Sequence, residues 1–196
     1  MKEYKYISLA GIVLGLSTIC FAVNRLWLHW HGPSWLMLCA TAIFVFVCFL
    51  MILTEPRSWA QIVTWVGMAY TATNLLFVTF RWPGGMSMSL YGAIGIITIG
   101  AAIVYLIQMP PQFHGVRKAL GFWVIGFQLI FIILWYVRMY YLNYVVDQFE
   151  PAIPYAENSL HYMQIRVWTL KYFVLGNGLA MLLPSIYLYI LTRKQQ

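Results

Sequence analysis

Residues 34–54 read SWLMLCATAIFVFVCFLMILT, twenty-one positions without a charge. A hydrocarbon layer about 30 Å thick is crossed by a helix of about 20 apolar residues. This stretch alone is therefore long enough to span a bilayer. Lipid offers no hydrogen bonds, so the backbone of such a segment must satisfy its own N–H and C=O groups, and a helix does that. Five further runs share its character: Ile7–Val23, Trp59–Phe80, Leu90–Gln108, Ala119–Tyr144 and Trp168–Leu191. The expected fold is an all-α integral membrane protein: one domain over residues 1–196, a compact bundle of six transmembrane helices.

The bulk composition agrees. The chain is 62% hydrophobic and 9% charged, where soluble domains carry about 25% charged residues. So few charges cannot cover a water-facing surface. The first run continues into Asn24 and Arg25 with no small-residue cleavage site, so a retained helix is expected there. The net charge of +7 is spread over segment ends and forms no basic patch. It reads as interfacial anchoring and topology, with no nucleic-acid partner.

Six crossings put both termini on one side. That side holds Lys2, Lys5, Arg57, Arg117, Lys118, Arg193 and Lys194, and the other holds Arg25, Arg81, Arg138, Arg166 and Lys171. The larger set lies in loops and tails, which places the termini in the cytoplasm and the protein in the cytoplasmic (inner) membrane. Val145–Val167 is expected as the long outer connection. It carries Asp147, Glu150 and Glu157, three of the five acids, with a short helix expected over Asn158–Val167. Aromatic residues near segment ends, such as Trp35, Trp59, Tyr140 and Trp168, suit an interfacial belt.

Small residues mark packing faces. Ser8, Gly11, Gly15 and Ala22 share a side of the first helix. Gly92, Gly95, Gly100, Ala93, Ala101 and Ala102 suggest a central fourth helix. Cys20, Cys39 and Cys48 fall inside helices with no CxxC pair, and the nine-residue step from Cys39 to Cys48 puts those two on opposite faces.

Polar groups at membrane depth are the candidate site. Asn74, Arg81, Arg138, Lys171 and Asn177 all fall in the outer half, and Tyr141 and Trp168 could add aromatic contacts. Charge in lipid costs a few kcal/mol unless it snorkels, pairs or meets water. Two readings follow. One is an outward-facing vestibule, positive in sign, for a small anionic or amphipathic solute or a lipid headgroup. The other has Arg81 and Lys171 snorkelling while Arg138 pairs with Asp147 or Glu150. Gly176-Asn177-Gly178 with Pro184 suits either a broken helix at a site or a helix that tolerates these residues.

His29, His31 and His161 lie on the same side and are the candidate metal ligands. No cofactor is expected from the residues, although a bound lipid, quinone or pigment suits aromatic helices. No acid sits at mid-membrane, and no HExxH, membrane aspartate pair or GxSxG is present. These absences point away from proton-coupled transport and hydrolysis. The expected function is a non-catalytic polytopic membrane protein, a small integral subunit or accessory component of a larger membrane complex. Its partners are the bilayer and other integral subunits. The alternative is a transporter or channel component built on the outer vestibule.

Overall fold

Each apolar run forms a helix in the computed structural model, which describes residues 2–27, 34–54, 58–80, 88–109, 114–149 and 155–194. Within these, side chains are described except at 2–3, 25–27, 34, 54, 88–91, 114, 143–149, 155–163, 165 and 166. The helices are α1 (Lys2–Phe21), α2 (Ser34–Thr54), α3 (Trp59–Phe80), α4 (Met88–Gln108), α5 (His114–Phe149) and α6 (Tyr155–Lys194). α1 widens at its end into a π-helical turn, Ala22–Trp27. Every described regular element is helical. Five of the helices (α1, α2, α3, α5 and α6) are long and apolar enough to cross a membrane, and the described apolar stretch of α4 is Gly92–Gln108.

The segments 34–54 and 59–80 have the expected bounds. The expected outer connection 145–167 does not: α5 continues to Phe149 and α6 begins at Tyr155, so most of it is helix. Apolarity locates where lipid ends, not where a helix ends. Charges such as Asp147 and Glu157 are disfavoured in hydrocarbon, but they do not break a helix. At 36 and 40 residues, α5 and α6 are about 54 Å and 60 Å long. Among the described residues their apolar stretches are Gly115–Leu142 and Val167–Lys194. Beyond the apolar runs that end at Tyr144 and begin at Trp168, helix continues over 145–149 and 155–167, about 8 Å and 20 Å at 1.5 Å per residue. The expected short helix over Asn158–Val167 is the first part of α6.

Each helix packs on the next in the chain, and α6 returns to pack on α1, closing a ring. α3 also reaches across to α5 and α6. It is the most buried of the five long spans, 61% against 33% for α2, and among the described residues it holds the most buried polar side chains, Gln61, Thr64, Thr71, Asn74 and Thr79. The expected small-residue face of α1 is the α1–α6 contact. A Cβ on Gly15 would lie 2.9 Å from the backbone N and Cα of Leu182, and one on Gly178 would lie 2.8 Å from Ile19 Cγ1. Only glycine lets these backbones approach so closely. Gly11 faces Ser185 and Trp123 in the same seam. The pairs Gly11–Ser185 and Gly15–Leu182 run antiparallel, so residues 2 and 194 lie at one end of the bundle. On α4, Gly92, Gly95, Ala101 and Ala102 face inward, while Ala93 and Gly100 face out.

One aromatic layer draws a side chain from every helix. Tyr4 of α1 meets Tyr105 of α4, hydroxyl to hydroxyl, at 3.0 Å. The Tyr105 ring packs edge-on to Trp65 of α3 at 6.5 Å, and Trp65 lies 6.5 Å from Trp123 of α5. Phe44 of α2 meets Trp123 at 6.0 Å, and Trp123 Nε1 donates to Met181 Sδ of α6 at 3.2 Å. Trp65, Trp123 and Phe44 are fully buried. The bulk of these rings fills the middle of the ring of helices, and their edge-to-face geometry adds to the burial.

Buried hydroxyls bond to their own helices. Thr18, Thr41, Thr64, Thr71, Thr98 and Ser185 each donate to the carbonyl four residues back. Ser185 does this one residue after Pro184, and α6 runs unbroken through Gly176-Asn177-Gly178 and Pro184. At α3, Ser58 caps the start by accepting from Gln61 N at 3.2 Å. The Gln61 amide then donates to Met51 O at 2.8 Å, tying the start of α3 to the last turn of α2. The cysteines are free; Cys39 faces out and Cys48 inward, as their spacing predicts, and Cys20 faces out.

Candidate functional site

Phe173 organises the polar groups in the half of the bundle away from the chain's two ends. Its ring packs edge-on against Phe131 at 5.1 Å and Trp135 at 5.7 Å. The Arg138 guanidinium lies 5.6 Å from the Trp135 centroid and 5.9 Å from that of Phe173. Arg138 is only 9% exposed. The ring quadrupoles therefore face a cation held out of water, which is where cation–π attraction is strongest.

Asn177 lies one helical turn further along α6. Gly176 faces Leu134 of α5 and Gly178 faces Ile19 of α1. At 100° per residue, the residue between them points into the bundle. Asn177 is 0% exposed and its Nδ2 donates to Phe173 O at 2.8 Å. Its Oδ1 is buried with no hydrogen bond. Phe173 thus touches both polar residues, its ring toward Arg138 and its carbonyl toward Asn177.

Tyr141 and Trp168 form a separate group. Their ring centroids are 6.0 Å apart, and Trp168 stacks edge-on with Tyr172 at 4.8 Å. Tyr141 is 43% exposed and Trp168 51%, so this cluster lies on the outside of the bundle. Lys171, half-buried, follows Trp168 by three positions on the same stretch of α6. Asn74 is buried on α3, along the face that includes Gly67 and Thr71. The seven expected residues therefore divide. Arg138 and Asn177 meet around Phe173, Tyr141 and Trp168 meet on the surface, and Asn74 belongs to α3's own packing face. Arg81 lies outside the described residues, as do His29 and His31 and the side chains of His161, Asp147 and Glu150. Among the described residues no three of His, Cys, Asp or Glu gather as metal ligands.

A second polar cluster was not foreseen. Gln128 of α5 is 0% exposed near the middle of its span. Its Nε2 donates to Thr71 Oγ1 of α3 at 2.8 Å and approaches Gly67 O at 3.5 Å. Gly67 itself faces the Thr98 side chain of α4. This knot ties α3, α4 and α5 together at mid-depth. Its signal was a single neutral amide in a long apolar run, which a search for charges passes over. Among the described residues the inner polar groups are amides, aliphatic hydroxyls, phenols, indoles and the Arg138 guanidinium, all suited to holding helices or polar atoms. No family model, curated protein or solved structure matches the chain.

Proposed function

We propose that the chain is a six-crossing, non-catalytic membrane protein that acts as a small integral subunit or accessory component of a larger membrane complex. α4 is the sixth crossing, since its 21 residues match the thickness of the hydrocarbon layer. The termini then share the cytoplasmic side of the inner membrane, in keeping with their basic residues.

One observation carries this reading. The middle of the bundle is filled by Phe44, Trp65 and Trp123, and the mid-depth Gln128 and Thr71 bond to each other across helices. Groups engaged in holding helices together leave the outer surface as the working part. That surface includes exposed Phe46, Phe49 and Leu53 on α2. The test is purification in mild detergent with identification of whatever stays bound. Integral membrane proteins in fixed ratio are the expected result. A chain that purifies alone and catalyses solute uptake in liposomes overturns the reading.

A second reading has its own support. The Asn177 Oδ1, a buried acceptor with no hydrogen bond one turn from Phe173, suits a polar solute in the outer half. On that reading Asn177→Leu abolishes uptake of such a solute while the protein level stays unchanged.

A further inference from the structure

α4 and α5 part on the lipid-facing side to leave a groove of about 560 Å³. Glycines open it. A Cβ on Gly126 would meet nothing within 4 Å, and Gly121 also lines the groove. Its walls are apolar and include the exposed Ile103, Ile107, Phe122 and Leu129. Arg117 and Lys118 line one end, and no acid is among the described residues that line it. From Arg117 to Leu129 is twelve steps along α5, about 18 Å at 1.5 Å each. That is close to half of a hydrocarbon layer about 30 Å thick. The groove is therefore one leaflet deep, with two cations at the level of the headgroups.

We propose that this groove holds an acyl chain of an anionic phospholipid, with its phosphate bound by Arg117 and Lys118. Depth selects the occupant. A transmembrane helix from a partner or a second copy would need a matching face across the whole bilayer, and docking there would strip water from both cations with no described acid to meet them. A phospholipid supplies what each part lacks, an apolar chain for the glycine-lined slot and a negative group for its basic end. A basic recess between helices at the membrane surface is the kind of feature that binds anionic headgroups.

The test is native mass spectrometry of the full chain in mild detergent, titrated with phosphatidylglycerol or with phosphatidylcholine of the same acyl chains. The expected result is a preference of about thirtyfold for phosphatidylglycerol, the product of two basic contacts. Arg117→Gln with Lys118→Gln removes that preference. Arg193→Gln with Lys194→Gln, basic at the same end but outside the groove, leaves it intact. Gly126→Leu fills the slot and lowers retention of both lipids. Any of four results overturns the proposal: equal retention of the two lipids by the unaltered chain, loss of preference in the 193/194 variant, displacement of the lipid by inorganic phosphate, or a two-chain species that Gly126→Leu abolishes.

Discussion

Tyr4 and Tyr105, 101 positions apart in the chain, meet hydroxyl to hydroxyl at 3.0 Å. This contact joins α1 to α4 across the bundle, and from it the aromatic layer runs through Trp65 and Trp123 to Phe44 and Met181. The layer should be the main source of fixed packing. Trp123→Ala removes the ring that touches α2, α3 and α6 at once, and should cost about 3–5 kcal/mol of stability. Tyr4→Phe leaves the ring in place and should cost no more than about 1 kcal/mol. Thermal unfolding in detergent measures both. A Trp123→Ala variant as stable as the parent would show that the layer is not a core.

Glycine substitutions should separate by sign. Gly15→Ala drives a methyl into the Leu182 backbone, which cannot swing aside as a side chain can, so a loss of about 2 kcal/mol or more is expected. Gly126→Ala meets open space and should gain about 0.5–1 kcal/mol from helix propensity. Equal effects at the two positions would contradict the described α1–α6 seam.

The Gln128–Thr71 bond can be weighed with a double-mutant cycle of Gln128→Leu and Thr71→Val. Interhelical hydrogen bonds in membranes average about 0.6 kcal/mol and reach about 1.7. A coupling within that range is expected from equilibrium unfolding. A coupling of zero would mean that the two side chains do not meet.

Arg138 should depend on its rings. Trp135→Leu keeps an apolar side chain but removes one π face, and should lower stability by about 0.5–2 kcal/mol. In an Arg138→Met background the same change should cost less, because no cation remains to be attracted. Unfolding of the four proteins in one detergent gives the comparison.

Membrane character was legible in the sequence because it needs only length and apolarity. The span of α2 follows from residues 34–54 alone. The α1–α6 seam was partly legible, since Gly11 and Gly15 share a helix face, though nothing in the chain says that the partner is Leu182. The aromatic layer was not legible. Trp35 and Trp65 look alike in sequence, yet one lies exposed at a helix end and the other fills the centre. Which tryptophans turn inward depends on the order of helices around the ring, and that is a tertiary property. The candidate site divided for a related reason. Depth, which residue counting measures, placed Arg138, Tyr141 and Trp168 close together, but direction around the helix separates them.

The continuation of α5 and α6 beyond their apolar runs was hidden by the use of apolarity as a helix boundary. If this extension contacts partners, deleting residues 146–163 behind a short Gly-Ser bridge should release co-purifying proteins. The melting temperature should shift by less than about 4 °C, equivalent to about 1 kcal/mol in a chain of this size. A collapse in stability would make the extension part of the fold.

All of this places the outward side of α2 against lipid tails, and depth-resolved spin labelling tests that most directly. Phe46, exposed near the middle of α2, is the position to label, as Phe46→Cys in a background with Cys20→Ser, Cys39→Ser and Cys48→Ala. In reconstituted bilayers the nitroxide should collide far more with dissolved oxygen, which concentrates in hydrocarbon, than with a water-soluble nickel chelate. The reverse ratio would mean that water faces α2, and the account of this protein as a lipid-embedded bundle would be wrong.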